Sequence, residues 1–271
     1  MVNLVSLYYR RLSLPITGLT MRNQSLIKAC VAILFLLVIN VANSAKKVTV
    51  AFGEVLAPWL LVDTNRGIIV DLLEATMSLL DYEIEHLYLP YARRSKAYKA
   101  GGIDVVSDMN LNTINQYNLP GFFSDIAYSY ENFAFSLHKN QYQLTKLNDL
   151  KDYSLLSWQD TKIHLGVDYA NMVNDNPRYN ETFDQSIQVK MLFLKRYDVI
   201  QMDAHIFDYY RAKLAMSDSV DMSQKVDRFA FLGASPNGFL FKSEKMRDQF
   251  NIQLRLIKST GQYQKIFERY M

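Results

Sequence analysis

The amino-acid sequence predicts an α/β protein. Short runs rich in β-branched and aromatic residues alternate along the chain with segments in which apolar residues recur at helical spacing. Strands that alternate with helices are typical of parallel sheets covered by helices. Residues 46–271 contain no repeat or long linker, and they suffice for one large domain or two small lobes.

The first half of the pattern predicts three strands and two helices. The strands are expected at residues 47–52, 83–89 and 103–107. Asp71 is expected to cap the first helix, with Glu74 completing a reciprocal capping arrangement. Leu72 then begins the apolar stripe of that helix. The second helix is expected over residues 91–100, because Gly101 and Gly102 form a common helix stop.

The second half continues the alternation. Strands are expected at 132–137, 163–167 and 198–202, followed by an aromatic β stretch with turn residues at 229–241. Helices are expected at 189–195, 205–214 and 245–258, and the final segment 262–270 is expected to pack Ile266, Phe267 and Tyr270. In helix 245–258 Met246, Phe250 and Leu254 share one face, which predicts that this face packs on a core.

The first 45 residues predict a cleaved signal peptide. Arg22 and Lys28 precede an uncharged run at residues 29–39, and small or polar residues follow it. We expect cleavage after Ser44 or Ala45, and translation from Met21, because residues 1–20 add nothing a signal peptide needs. A membrane anchor is the alternative, but a spanning helix needs about 20 apolar residues.

Removing this leader changes the charge and the cysteine content. The chain has 30 basic and 27 acidic side chains, and four of the basic ones lie in residues 1–45. The remainder therefore has a net charge of about −1, which gives no indication of nucleic-acid or lipid binding. Cys30, the only cysteine, also leaves with the leader. A mature chain without disulfides fits a bacterial periplasm.

Six short segments lie in order along the rest of the chain. They are Gly67-x-x-x-Asp71-Leu72, Gly102-Ile103-Asp104, Phe123-Ser124-Asp125-Ile126-Ala127-Tyr128, Leu147-Asn148-Asp149-Leu150, Lys195-Arg196-Tyr197-Asp198 with Asp203, and Ser259-Thr260-Gly261-Gln262-Tyr263 with Ile266. Together they resemble the motifs of the bacterial family 3 periplasmic solute-binding proteins, the amino-acid receptors of ABC importers.

The resemblance implies a type II periplasmic-binding-protein fold, with two α/β lobes joined by two crossover hinge strands. Lobe 1 would contain residues 46–133 and 236–271, and lobe 2 residues 134–235. Such a protein captures a small polar solute, amino-acid-like or an organic acid, in the periplasm and delivers it to the membrane permease of an ABC importer. We expect a monomer with no cofactor, no metal and no nucleic-acid partner.

The resemblance also implies ligand-binding residues. Family members often sandwich the ligand between aromatic side chains, and the matching positions lie near Trp59 and Tyr91; simple packing is the alternative for both. Asp203 matches the acidic residue that pairs with the α-ammonium of amino-acid ligands, where a charge-assisted hydrogen bond suits a closed cleft. Asp198 is expected to be structural.

One departure from the family pattern concerns the ligand carboxylate. The family binds it with the arginine of a T-x-E-R segment, but the matching segment runs from Thr113 to Gln116, and Gln116 replaces the arginine. Either the ligand is not an ordinary α-amino acid in the usual pose, or another cation binds it. Arg93, in a segment that resembles P-aromatic-x-R, is the candidate; a solvated helix face is the alternative.

The ligand-facing loop of lobe 2 has two alternative positions, residues 155–161 and 163–169. The second is preferred because Gly166 and Tyr169 resemble the family's loop motif, which would place Tyr169 near the cleft.

No catalytic motif is evident. The four histidines share no metal-binding spacing, and there is no nucleophile elbow or P-loop. We therefore expect a binding protein rather than an enzyme. The alternative is an enzyme similar to the cyclohexadienyl or arogenate dehydratases of this fold, with Asp108, Asp203 or Glu131 as the acid. Asp108 is also a candidate ligand-binding residue.

Overall fold

A computed structural model describes residues 45–54, 56–217 and 220–271, without the side chains of Tyr91 and Ala92. The predicted signal peptide lies outside the described residues, apart from Ala45. The described strands are β1 (Lys46–Phe52), β2 (Tyr82–Tyr88), β3 (Val105–Met109), β4 (Phe122–Phe123), β5 (Tyr128–Leu137), β6 (Leu155–Trp158), β7 (Tyr179–Thr182), β8 (Val199–Asp203), β9 (Val226–Phe229) and β10 (Ala234–Phe241).

The described α-helices are α1 (Ile68–Met77), α2 (Tyr91–Ala100), α3 (Leu111–Tyr117), α4 (Thr161–His164), α5 (Val167–Asn174), α6 (Gln185–Phe193), α7 (Ala204–Ala215), α8 (Glu244–Ser259) and α9 (Gln262–Phe267). None of these helices combines the length and apolarity needed to span a membrane.

The strands form one curled mixed sheet in the order β2-β1-β3-β10-β5-β8-β6-β7. Strand β1 is parallel to β2 and β3, and β6 is parallel to β7 and β8. Between these two parallel halves, residues Ala234–Asn237 of β10 pair antiparallel with Tyr128–Glu131 of β5. The predicted α/β class is confirmed, and β5 and β10 are the strands that connect the two halves.

The helices bury the sheet on both sides. A large cluster of buried side chains joins β1, α1 and α8 to β8 and α7, with Phe52, Phe207 and Phe250 fully buried. A smaller cluster lies under β6 and α5, around Leu155 and Tyr169. Most predicted elements agree with the structure to within a few residues, including helix 91–100 and helix 245–258.

The predicted cap of the first helix is wrong. Helix α1 begins at Ile68 after Gly67, so Asp71 lies within its first turn. The Asp71 carboxylate is buried and binds Arg66 at 3.0 Å, Arg269 at 3.1 Å and the Tyr270 hydroxyl at 2.8 Å. Asp71 therefore fastens the C-terminal segment to α1 instead of capping the helix.

Gly67 makes the earlier helix start sterically feasible. Its φ is 120°, and a Cβ there would lie 2.6 Å from the Trp59 carbonyl oxygen. Gly67→Ala is expected to lower the free energy of unfolding by about 2–5 kcal/mol, which combines a left-handed backbone cost with overpacking. Urea denaturation would measure it. Gly101→Ala is the matched control, since Gly101 has φ 95° and a Cβ there would meet no atom within 4 Å. An equal loss in both variants would contradict the steric argument.

The predicted strand at 163–167 is also wrong. That segment belongs to α4 and α5, and the strand is β6 at Leu155–Trp158, which pairs in parallel with β7 and β8. The reason is periodicity: Tyr169, Met172 and Val173 are buried at helical rather than alternating spacing. The predicted stretch 229–241 is divided into β9 and β10 by a turn at Gly233, where φ is 71°.

Candidate functional site

A cavity of about 90 Å³ lies between the two parallel halves of the sheet. It is lined by Gly53, Glu54, Leu56, Pro90, Arg94, Asp108, Tyr130, Asn132, Trp158, Gln159, His164, Phe183, Gln185, Asp203 and Ile206. Gly53 follows β1, while Trp158 and Asp203 are the last residues of β6 and β8. The cavity therefore lies at the carboxyl ends of parallel strands, where α/β proteins commonly bind ligands.

A buried ion pair lies at the β3 side of the cavity. Arg94 on α2 donates from Nη2 to the Oδ2 atom of Asp108 at 3.3 Å and from Nη1 to the carbonyl oxygen of Ser107 at 3.0 Å. The Tyr130 hydroxyl donates to the other carboxylate oxygen, Oδ1, at 2.7 Å. Asp108 has φ 60°, an uncommon conformation for a residue other than glycine. Burial beside this carboxylate raises the pKa of Tyr130 well above its ordinary value.

The structure assigns the cleft-facing arginine to a different residue from the predicted one. Arg94 is 2% exposed and lines the cavity, whereas Arg93 is exposed and does not line it. Successive helix residues point about 100° apart, so only one of two adjacent arginines can face the cavity.

Asp203 ends β8 and caps α7. Its Oδ1 accepts from the backbone N–H groups of His205 at 3.0 Å and Ile206 at 3.1 Å, and its Oδ2 accepts from Glu131 N–H at 2.8 Å. The indole N–H of Trp59 donates to Oδ1 at 2.9 Å. Burial raises the pKa of Asp203, and these donors oppose that shift.

Trp59 lies behind Asp203 rather than against the cavity. Its side chain is fully buried, and its ring packs edge-on against Tyr130 with centroids 4.7 Å apart and at a tilt against Tyr128 at 5.4 Å. Trp59 therefore positions the Asp203 carboxylate. The predicted lobe boundaries put Trp59 in lobe 1 and Asp203 in lobe 2, and the structure joins these two side chains by a hydrogen bond.

Two other predicted ligand-binding residues, Gln116 and Tyr169, do not line the described cavity. Gln116 is exposed on α3. Tyr169 is buried under β6, where its hydroxyl lies 2.6 Å from the Ser157 hydroxyl, because its segment is helical rather than the loop that the sequence predicted. The Tyr91 side chain lies outside the described residues. Asp198, expected to be structural, accepts from the backbone N–H of Ser154 at 2.9 Å and from the Tyr142 hydroxyl at 2.9 Å.

Several cavity residues were not predicted from the sequence. Trp158 is the last residue of β6 and belongs to segment 155–161, the loop position that the sequence analysis did not prefer. Phe183 and Gln185 follow β7, a four-residue strand too short to stand out in the sequence pattern. Glu54 lies in the loop after β1.

Helix α3 and the residue before it, Asn110, contact the His164 backbone. The side-chain amides of Asn110 and Asn112 each donate to the His164 carbonyl oxygen at 3.1 Å. The Thr113 hydroxyl lies 3.5 Å from His164 Nδ1. These contacts fasten the β3 side of the cavity to the β6 side.

His164 makes the stability of this arrangement sensitive to acid. Burial lowers the pKa of His164 to about 4, with a further lowering from Arg94 and an opposing effect of Asp108. The unfolded chain takes up a proton near pH 6.5, so stability is lost as pH falls from about 6.5 to 4. Between pH 7 and 5 the wild type should lose about 2 kcal/mol more than His164→Gln. Urea titrations at both pH values would measure this, and equal losses would contradict it.

The sequence comparisons found no match: no protein-family model and no curated protein matches the chain. The structure comparison found many. A histidine kinase sensor domain with similarity to periplasmic binding proteins is 16% identical, with a TM-score of 0.68, 84% of this chain covered and 97% of that chain. An ancestral amino acid-binding protein, a precursor of cyclohexadienyl dehydratase, is 19% identical, with a TM-score of 0.64 and coverages of 83% and 95%.

The substrate-binding protein of an amino acid ABC transporter is 16% identical, with a TM-score of 0.61 and coverages of 83% and 99%. At these identities the likeness shows the fold. The chain has the predicted periplasmic-binding-protein fold, an α/β architecture of two lobes connected by crossing strands, here β5 and β10.

Proposed function

We propose that the protein captures a small polar solute in this cavity, in the periplasm, and presents it to the membrane permease of an importer. The lobes would be residues 46–133 with 236–271, and residues 134–235. The observation that carries the proposal is a cavity between the two halves of the sheet, with the Arg94–Asp108 pair beside β3 and Asp203 at the end of β8.

The buried polar side chains are the reason to expect a polar solute. Arg94, Asp108, Asn132, Gln185 and Asp203 all line the cavity and are each at most 5% exposed. Buried polar groups are costly unless they make hydrogen bonds, so their concentration in one small cavity is typical of a binding site. The amino-acid ligands of the structural neighbours have the same polar character.

Thermal-shift screening of amino acids, amines and organic acids would test this proposal. A solute at 100 times its dissociation constant should stabilise the protein by about 2.7 kcal/mol. Phe183→Ala tests the location, because Phe183 is 73% exposed at the cavity and its loss should weaken binding roughly ten-fold with little effect on folding. Ile252→Ala, 55% exposed on α8, is the control. If no solute raises the melting temperature, the receptor function is contradicted.

An enzyme of the dehydratase type is the second candidate. Two observations support it. One structural neighbour is a precursor of cyclohexadienyl dehydratase, and Asp203 is a buried acid at the cavity whose pKa is raised by burial. Turnover of prephenate by the purified protein would favour this function over solute capture, and loss of turnover in Asp203→Asn would assign the acid.

A further inference from the structure

Acidic side chains outnumber basic ones in the described lining of the cavity. Among the described lining residues, Glu54, Asp108 and Asp203 carry three carboxylates against the single guanidinium of Arg94. His164 is buried and neutral at pH 7, since its pKa is lowered to about 4. The cavity therefore has a formal charge of −2 and attracts cations.

The guanidinium of Arg94 is already committed to protein partners. It donates to Asp108 and to the Ser107 carbonyl oxygen, and a bound carboxylate would have to compete with the Asp108 carboxylate for it. Arg93 is exposed outside the cavity, so it does not replace Arg94. A ligand carboxylate would enter beside three like charges without a cation of its own, which is strongly unfavourable in a buried site.

The rest of the lining suits an ammonium group on an apolar chain. Tyr130, Trp158 and Phe183 present aromatic rings, and cations bind favourably over such rings. Leu56 and Ile206 add apolar surface for a hydrocarbon chain. Tyr130 lies between the two buried carboxylates: its hydroxyl donates to Asp108 at 2.7 Å, and its ring packs on Trp59, whose indole N–H donates to Asp203.

We propose that the solute is an organic amine cation that lacks a carboxylate. This inference rests on the proposed function and names the ligand class for the same cavity. A receptor for α-amino acids differs, because it needs one cation to bind the ligand carboxylate and one anion to bind the ligand ammonium group.

Isothermal titration calorimetry with two matched ligand pairs tests the inference. Cadaverine differs from lysine, and agmatine from arginine, only by the absent carboxylate. Each amine should bind at least about 100-fold more tightly than its amino acid, because the carboxylate of the amino acid would be buried without a cationic partner and would weaken binding by at least that factor. Equal or tighter binding of the amino acids would overturn the inference and leave solute capture intact.

The remaining outcomes separate the inference from the proposed function. Binding of an organic acid such as glutarate, with no binding of either amine, overturns the amine assignment but supports a solute receptor. Absence of binding by every compound in the thermal-shift panel contradicts both.

A charge-neutralising variant adds a second test. Glu54→Gln removes one negative charge at the cavity and should weaken cadaverine binding by up to about five-fold at low salt. Glu268→Gln, at an exposed residue that does not line the cavity, changes the net charge equally and should leave binding unchanged. The difference should shrink in high salt, because screening weakens exposed charge interactions. Unchanged affinity in Glu54→Gln at low salt, or stronger binding, would count against the proposal.

Discussion

Arg94→Ala is expected to lower the free energy of unfolding by about 3–5 kcal/mol. The substitution leaves the Asp108 carboxylate buried, with the Tyr130 hydroxyl as its remaining described donor. It also removes the donor to the Ser107 carbonyl oxygen. Urea denaturation at pH 7 would measure the loss.

Arg93→Ala is the matched control for this substitution. Arg93 has the same side chain one residue earlier on α2, but it is exposed, so its loss should change stability by less than about 0.5 kcal/mol. If Arg93→Ala lost more unfolding free energy than Arg94→Ala, Arg93 would be the buried arginine, as the sequence suggested, and the site geometry described above would be wrong.

Trp59→Ala is expected to be comparably costly, at about 3–5 kcal/mol, because it empties a fully buried site among Tyr128, Tyr130 and Phe267. Trp59→Phe keeps a ring there and removes the indole N–H bonded to Asp203. Hydrogen bonds to charged groups are worth about 1.5–3 kcal/mol, so this variant should lose less than Trp59→Ala. Urea denaturation of both variants would measure the two losses.

The same pair of variants tests the role of Trp59. If Trp59 only positions Asp203, the loss of ligand-binding free energy in Trp59→Phe should not exceed its loss of unfolding free energy. Both losses would then come from the missing hydrogen bond to Asp203. A variant with normal stability and no ligand binding would instead indicate that Trp59 stacks directly on the solute.

The fold class was predictable because it depends on periodicity, which the sequence displays directly. Helix α2 was predicted to the residue, since Gly101 and Gly102 mark its end, and β1 has an unbroken β-branched run. The start of α1 was not predictable from Asp71. Its partners Arg269 and Tyr270 lie about 200 residues away, and no local pattern indicates that contact.

The binding roles of the predicted site residues stay predictions, but the structure shows where these residues lie. Two of the predicted residues, Asp108 and Asp203, line the cavity because both lie near the ends of strands whose carboxyl termini meet there. The choice between Arg93 and Arg94 depends on the rotation of α2 about its axis, which a segment with arginines at adjacent positions does not fix. Tyr169 was misplaced because a short apolar segment fits strand and helix alike.

Tryptophan fluorescence provides the most direct test of solute capture in this cavity. The chain has two tryptophans: Trp158 lines the cavity, and Trp59 is buried behind Asp203. Titration with the amine, amino-acid and organic-acid panel should give a saturable emission change with at least one compound. That change should persist in Trp59→Phe and largely disappear in Trp158→Phe. A panel that produces no saturable change, or a change that Trp158→Phe leaves intact, would contradict binding in this cavity.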